Sequence, residues 1–443
     1  MRTWIKDPLA IFAQDAERGL VVDDRVILET VGRGGQPSTP VEAVFDASRH
    51  VVLPGLVNTH HHFFQTLTRA HPNAINRELF PWLVALYPIW ARLKPAQLRV
   101  ATRLALVELM LSGCTTAADH HYLFPAGLEN AVDIEVEEAR ALGLRMTVTR
   151  GSMNLGEKDG GLPPDLVVQD ADEILADSER VLKLFHDPKP GAQIRIALAP
   201  CSPFSIDKRL MIETAGLAER YGCQLHTHLC ETKDEERFCL DMYGLRPVDL
   251  LEATGWMSKR TWLAHGIHFN AEEIGRLGRA GVGVSHCAAS NMVLASGICP
   301  TCDLEAAGSP VGLGVDGSAS NDSSNMMEAL RHALMIGRLR YGASGVTHLD
   351  VLRWASEGSA RCLGRDDIGR IAAGYQADLA LFTLDEPRFS GAHDPLAALI
   401  LCGAHRADRV MVGGVWRVVD GAPVGLDVAA LLAEHRAAAT AFA

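Results

Sequence analysis

Eight short apolar or β-branched segments recur along the middle of this chain, each followed by a polar stretch or by residues with helical spacing. They lie at 51–57 (VVLPGLV), 114–119 (CTTAAD), 145–149 (RMTVT), 194–199 (IRIALA), 223–228 (CQLHTH), 261–265 (TWLAH), 282–286 (VGVSH) and 311–316 (VGLGVD). Several of the intervening helical stretches end on glycine, at Gly113, Gly143 and Gly222, where freedom to turn left-handed suits a helix C-terminus. Alternation of this kind, sustained over about 300 residues, matches a parallel barrel better than an open doubly wound sheet. The predicted fold is α/β: a (β/α)8 TIM-like barrel over residues 51–365.

The ends of the chain differ. Residues 1–50 and 366–425 carry short strands bounded by glycine, such as GLVVDD, ADLALFTL and RVMVGGVWRVVDG, and the tail DVAALLAEHRAAATAFA reads as a helix. The two ends, 1–50 and 366–443, are therefore expected to form one composite small β-sandwich domain with a C-terminal helix. The chain is 48% apolar over 443 residues, enough for a large core. Its 42 basic and 54 acidic residues leave a net charge of -12 without a long block of either sign. That disfavours nucleic acid or an anionic membrane as the main partner and favours a small-molecule ligand. The opening MRTWIKDPLAIF lacks the basic region and about 7–15 apolar residues of a secretory signal. No apolar run reaches the roughly 18 residues of a membrane span, so a cytoplasmic location is expected, with the ten cysteines as thiols. Cys299 and Cys302 form a CPTC motif with no second CxxC, which argues against a zinc knuckle.

In such a barrel the reactive groups stand where the strands end and the βα loops converge. The ends of the eight segments deliver His60 and His62, Asp119 and His120, Arg150, Cys201, His228, His265, His286 and Asp316. Alternate residues of an extended chain face the same way, so in THHHF His60 and His62 point together while His61 points away. Two imidazoles, a third from His228 and the Asp316 carboxylate make an N/O ligand set suited to one zinc ion with a position left for water. Glu231, three residues after His228, is a candidate proton shuttle, and His265 and Asp316 are candidates to orient the attacking water and accept its proton. The fourth segment, IRIALAPCSPF, has no lysine to bridge a second metal, so one ion is expected. His268 is a weaker candidate, and His61, His120 and His121 are read as orienting or packing residues.

These segments resemble the amidohydrolase superfamily. PGLVNTHHHFFQTLTR, HTHLCET, LAHGIHF, SHCAASNMVLASG and VDGSASNDSSNMMEALR are similar, in order, to its strand-one HxH, strand-five His with a following Glu, strand-six His, strand-seven Ser-Asn segment and strand-eight Asp. GRIAAGYQADLALF resembles the return into its small β domain, so the resemblance runs over nearly the whole chain. RELFPWLVALYPIWARL looks like the cap segment of guanine-type deaminases, and TRGSMNLGEKDGGLPPD with DHHYLF resembles the 8-oxoguanine deaminase branch, near the hydroxyatrazine ethylaminohydrolases.

The resemblance implies zinc-dependent hydrolytic removal of an amine from a purine, with 8-oxoguanine and water giving urate and ammonia. Glu231 would protonate a ring nitrogen, His265 would hydrogen-bond the attacking oxygen, and Asp316 would take its proton. It implies substrate contacts from Gln65, five residues after His60, and an apolar wall from Trp82. Guanine deaminases carry an arginine where PCSPFS has Cys201. In 8-oxoguanine N7 is a donor, which an arginine cannot accept and a thiol weakly can; a simple packing role for Cys201 is the alternative. Arg150 is either a residue of the mouth or half of a structural ion pair. Rival expectations are guanine or isocytosine deamination, alkylamine removal from a hydroxytriazine, hydrolysis of a cyclic amide at two metals, and a zinc-storing protein, for which Glu231 would have no use. Relatives of this kind often form homo-oligomers.

Overall fold

Eight parallel strands form one sheet in strict chain order: β1 (Leu56–Asn58), β2 (Cys114–His121), β3 (Arg145–Ser152), β4 (Ile194–Pro200), β5 (Gln224–Leu229), β6 (Thr261–His265), β7 (Gly283–His286) and β8 (Val311–Leu313). The last strand returns to the first, where Thr59 N–H donates to Leu313 O at 3.0 Å, so the sheet closes into the expected (β/α)8 barrel. This computed structural model describes residues 1–442. Every residue of β2 and β3 is buried, as befits parallel strands covered on both faces. The helices Ala131–Leu142 and Lys208–Tyr221 end on Gly143 and Gly222, whose φ values of 73° and 67° are left-handed.

The first apolar segment is divided between two sheets, a correction to the single strand expected over 51–57. His50–Pro54 pairs antiparallel with Leu379–Thr383, and only Leu56–Asn58 enters the barrel. Gly55 makes the crossing possible: a Cβ there would sit 2.1 Å from Thr115 Oγ1. At the other end the strand stops at Leu313 and 314–316 lie beyond it; a Cβ on Gly314 would lie 2.7 Å from the His60 Cβ, so the close approach there requires glycine.

The terminal segments build a β-sandwich. Its first sheet orders Val26–Thr30, Gly19–Asp23, Arg2–Lys6 and Ala43–Asp46. Its second orders Ala422–Pro423, Val415–Val419, Arg409–Val412, Leu379–Thr383, His50–Pro54 and Ala10–Ile11, mixing both ends of the chain. Ile5, Leu20 and Ile27 of the first pack against Val52, Leu381 and Met411 of the second. A buried ion pair joins sandwich to barrel: Arg145 Nε, at the start of β3, lies 2.7 Å from Asp378 Oδ2. The C-terminal helix, Val428–Phe442, packs on the barrel helix Pro95–Leu111 through Leu431 against Val100, Leu104 and Val107, although chain order grouped it with the sandwich. Among the described residues no helix is long and apolar enough to cross a membrane.

Candidate metal and active site

At the C-terminal mouth of the barrel, His60, His62, His228 and Asp316 converge from β1, β5 and the turn after β8. Burial holds all three imidazoles below their usual pKa, that of His228 at about 3, so each is neutral and carries one N–H and one lone pair. Their outer partners decide which nitrogen is which. His62 Nδ1–H donates to His120 O at 2.7 Å, and His228 Nδ1–H donates to Cys201 O at 2.6 Å. His226 Nδ1–H donates to Trp262 O at 2.8 Å, which leaves His226 Nε2 to accept from His60 Nδ1–H, also at 2.8 Å.

All three Nε2 lone pairs therefore face inward. His62 Nε2 and His228 Nε2 stand 3.2 Å apart with no proton between them, and His60 Nε2 has no hydrogen-bond partner. Asp316 Oδ1 lies 3.4 Å from both His60 Nε2 and His62 Nε2. A cluster of buried acceptors without a donor is unfavourable unless a cation sits among them. Two ligand atoms each about 2.1 Å from a tetrahedral ion stand about 3.4 Å apart, close to the spacings seen. The donor set thus fits a small divalent ion. His120 stacks on His228, centroids 4.7 Å apart and 16° from parallel, and its Nε2–H donates to Ala199 O.

Glu231 and His265 border this group. His265 Nδ1–H donates to Asn291 Oδ1 at 2.9 Å, and its Nε2 faces Glu231 Oε2 at 3.5 Å and Asp316 Oδ2 at 3.9 Å. Burial opposes charge on His265, but the two carboxylates outweigh it and raise its pKa. Burial pushes Glu231 up to about 7, with the neighbouring His265 opposing, so it can carry a proton near neutrality; its Oε1 is buried and unpartnered. Both His265 and Asp316 have φ of 70°, a left-handed conformation that is costly for residues with a Cβ and that clusters at functional sites. Asn321 Nδ2–H donates to Asp316 O at 2.7 Å and holds that turn.

A narrow cavity, lined by apolar and aromatic side chains around a few polar groups, opens onto these residues. Gln65, Trp82 and Cys201 all line it. Trp82 Nε1–H donates to Ala319 O at 3.1 Å, which fixes the indole as a wall. Gln65 Oε1 accepts from Ala319 N–H at 3.4 Å, and a Cβ on Gly317 would fall 2.0 Å from that oxygen. Burial pushes the Cys201 thiol up to about 12, so it stays neutral.

Arg150 is not at the mouth. It is buried, with Nε 2.6 Å from Asp177 Oδ2 and its guanidinium 3.7 Å from the Phe124 ring centroid, a structural ion pair. His61 Nε2 bonds the Ser324 hydroxyl at 2.8 Å while its Nδ1 accepts from His62 N–H. His268 donates from Nε2 to Ser296 O at 3.0 Å.

Three groups escaped the reading of the sequence. His226 lies two residues before His228 on the same strand face, so the repeated HxH pattern was a usable signal. Asn291 sits in the Ser-Asn segment without a role assigned to it. Tyr87 shares one helix face with Leu79, Trp82 and Leu83 of Leu79–Trp90 and lines the cavity with them, at spacings legible as an apolar stripe.

Residues 51–417 match the model of the amidohydrolase family. The chain belongs to that family. It is 65% identical to 8-oxoguanine deaminase of Pseudomonas aeruginosa over 443 residues, 99% of each chain. It is 38% identical to hydroxydechloroatrazine ethylaminohydrolase of Pseudomonas sp. (strain ADP), over 84% of this chain and 79% of that one. Among solved structures, atrazine chlorohydrolase of Arthrobacter aurescens TC1 complexed with zinc superposes with a TM-score of 0.93 at 31% identity, covering 99% of this chain and 100% of that one.

Proposed function

We propose that this amidohydrolase is a hydrolytic deaminase with a single divalent ion, zinc, at its catalytic site, and that it converts 8-oxoguanine and water to urate and ammonia. The observation that carries the reading is the donor-free cluster of His60, His62, His228 and Asp316 beside a cavity that also holds Glu231 and the neutral Cys201 thiol. The relative at 65% identity supports the choice of purine. A divalent ion at that position supplies Lewis acidity, making a water molecule acidic enough to be a nucleophile near neutral pH.

The chain's own groups do the rest. Asp316 Oδ2 and His265 Nε2 hold the attacking oxygen opposite the amine-bearing ring carbon, and Asp316 receives its proton. Glu231, protonated near neutrality, donates to the adjacent ring nitrogen, so that negative charge does not accumulate there as the C–O bond forms. With a proton returned to the exocyclic nitrogen, the C–N bond breaks and ammonia departs. Gln65 and Trp82 position the ring, and Cys201 accepts weakly from the N7–H that distinguishes 8-oxoguanine from guanine.

A second reading, loss of an alkylamine from a hydroxytriazine, is favoured by the relative at 38% identity and would use the same metal ligands. Ammonia or amine release from 8-oxoguanine, guanine, isocytosine and hydroxyatrazine separates the two, and a higher kcat/KM for the triazine overturns the purine assignment. Glu231→Gln should keep the metal and lose turnover by at least about 100-fold; undiminished turnover removes Glu231 from the mechanism. A division into a barrel ending at residue 365 and a composite domain of both chain ends, with the boundary expected at 50/51 moved past the sandwich strand His50–Pro54, belongs to the same proposal, as does a homo-oligomeric state.

A further inference from the structure

A second set of buried acceptors lies outside the barrel. Asp119 and His121 alternate on β2 and face away from the mouth, where the helix Ala131–Leu142 brings Glu135 against them. All three are buried, at most 1% exposed. Asp119 Oδ2, His121 Nδ1 and both Glu135 carboxylate oxygens have no hydrogen-bond partner. One ligand atom from each residue lies within 4.8 Å of the others, and His121 Nδ1 stands 3.4 Å from Glu135 Oε1. That is about the separation of two ligands on one tetrahedral ion.

The surrounding bonds have the pattern found at the catalytic ligands. His121 Nε2–H donates to Leu123 O at 2.6 Å, which turns the Nδ1 lone pair toward the carboxylates. Asp119 Oδ1 is occupied by Phe63 N–H at 2.7 Å, which leaves Oδ2 free to point into the cluster. No donor from any other residue reaches the four remaining atoms; Asp119 and Glu135 themselves lie within hydrogen-bond reach of one another. Arg150, the nearest cation acting on His121, is committed to Asp177 and Gln169.

We propose that Asp119, His121 and Glu135 form a second, structural cation site for zinc, with Glu135 bidentate and the other two ligands contributing one atom each. Two carboxylates and a neutral imidazole balance a divalent charge without further partners. The ion ties helix Ala131–Leu142 to β2. Through Asp119 and the Phe63 amide it also braces the chain one residue beyond the catalytic ligand His62. It faces away from the cavity and takes no part in catalysis. The competing arrangement is a proton held between the two carboxyls, since burial raises Asp119 to about 7 and raises Glu135 as well, and the charge of Asp119 beside Glu135 raises it further.

The test is the metal content of the full-length protein produced with added zinc and dialysed free of loose metal. Two ions per chain are expected for the wild type and one for Glu135→Gln, with that variant still active. Asp316→Asn should lose the other ion and the activity, which separates this site from a two-metal catalytic centre and keeps its failure distinct from failure of the proposed function. One ion per chain in the wild type, or equal metal content in the wild type and Glu135→Gln, overturns the proposal. If Glu135→Gln fails to fold, anomalous diffraction at the zinc edge from wild-type crystals decides: a peak between β2 and the helix supports the site, and its absence rejects it.

Discussion

His226→Phe isolates a contact that touches neither substrate nor metal. The ring is kept, so the stack on Trp262, 4.2 Å between centroids and 12° from parallel, has a replacement of similar shape. What disappears is the acceptor for His60 Nδ1–H, which in the wild type lies 2.8 Å from His226 Nε2. His60 is fully buried, so the protein either buries an unpaired N–H or moves the proton to Nε2 and loses a ligand lone pair. An unsatisfied buried donor costs about 1–3 kcal/mol. At about 1.4 kcal/mol per factor of ten, zinc should bind about 5- to 150-fold more weakly. The assay is competition for zinc against a chromophoric chelator, with thermal unfolding as a check on the fold and urate formation measured at saturating zinc. His226→Gln, which offers an amide oxygen in the same direction, should recover part of the affinity. Zinc affinity of His226→Phe within twofold of wild type would refute the argument that this histidine fixes the tautomer of His60.

The other predictions concern the cavity and its proton. Gly317→Ala should raise KM while leaving metal content unchanged, because the added Cβ would fall 2.0 Å from Gln65 Oε1 and displace that side chain; an unchanged KM would remove Gln65 from substrate binding. The acid form of Glu231 is the active one and its pKa is raised to about 7, so kcat/KM should be retained below that pH and fall as pH rises through it. A profile flat from about pH 6 to 9 would contradict a proton donated by this carboxyl. Cys201→Arg should move the ratio of rates toward guanine and away from 8-oxoguanine, measured side by side; an unmoved ratio would leave Cys201 with packing alone.

The linear order of residues determined the barrel and the cluster of His60, His62, His228 and Asp316 at its mouth, for a local physical reason. A strand alternates its faces every residue, so His60 and His62 are a pair on inspection, and strand ends in a closed parallel barrel share one mouth. The same reasoning reached His228, Glu231, His265 and Asp316, each at or just past the end of a strand segment. Other features depended on where distant segments pack. The apolar run 51–57 looks continuous, and only pairing with Leu379–Thr383 assigns its first half to the sandwich. Arg150 is a strand-end residue like the ligands, yet its long side chain bends to Asp177, 27 positions along the chain, and leaves the mouth. The tautomers of His60, His62 and His228 rest on carbonyls and a ring from neighbouring strands. No spacing rule encodes them, because a hydrogen bond's partner is chosen by proximity in three dimensions. Asp119, His121 and Glu135 teach the same lesson: alternation on β2 turns two of them outward, but only the packing of a helix against that strand brings the third.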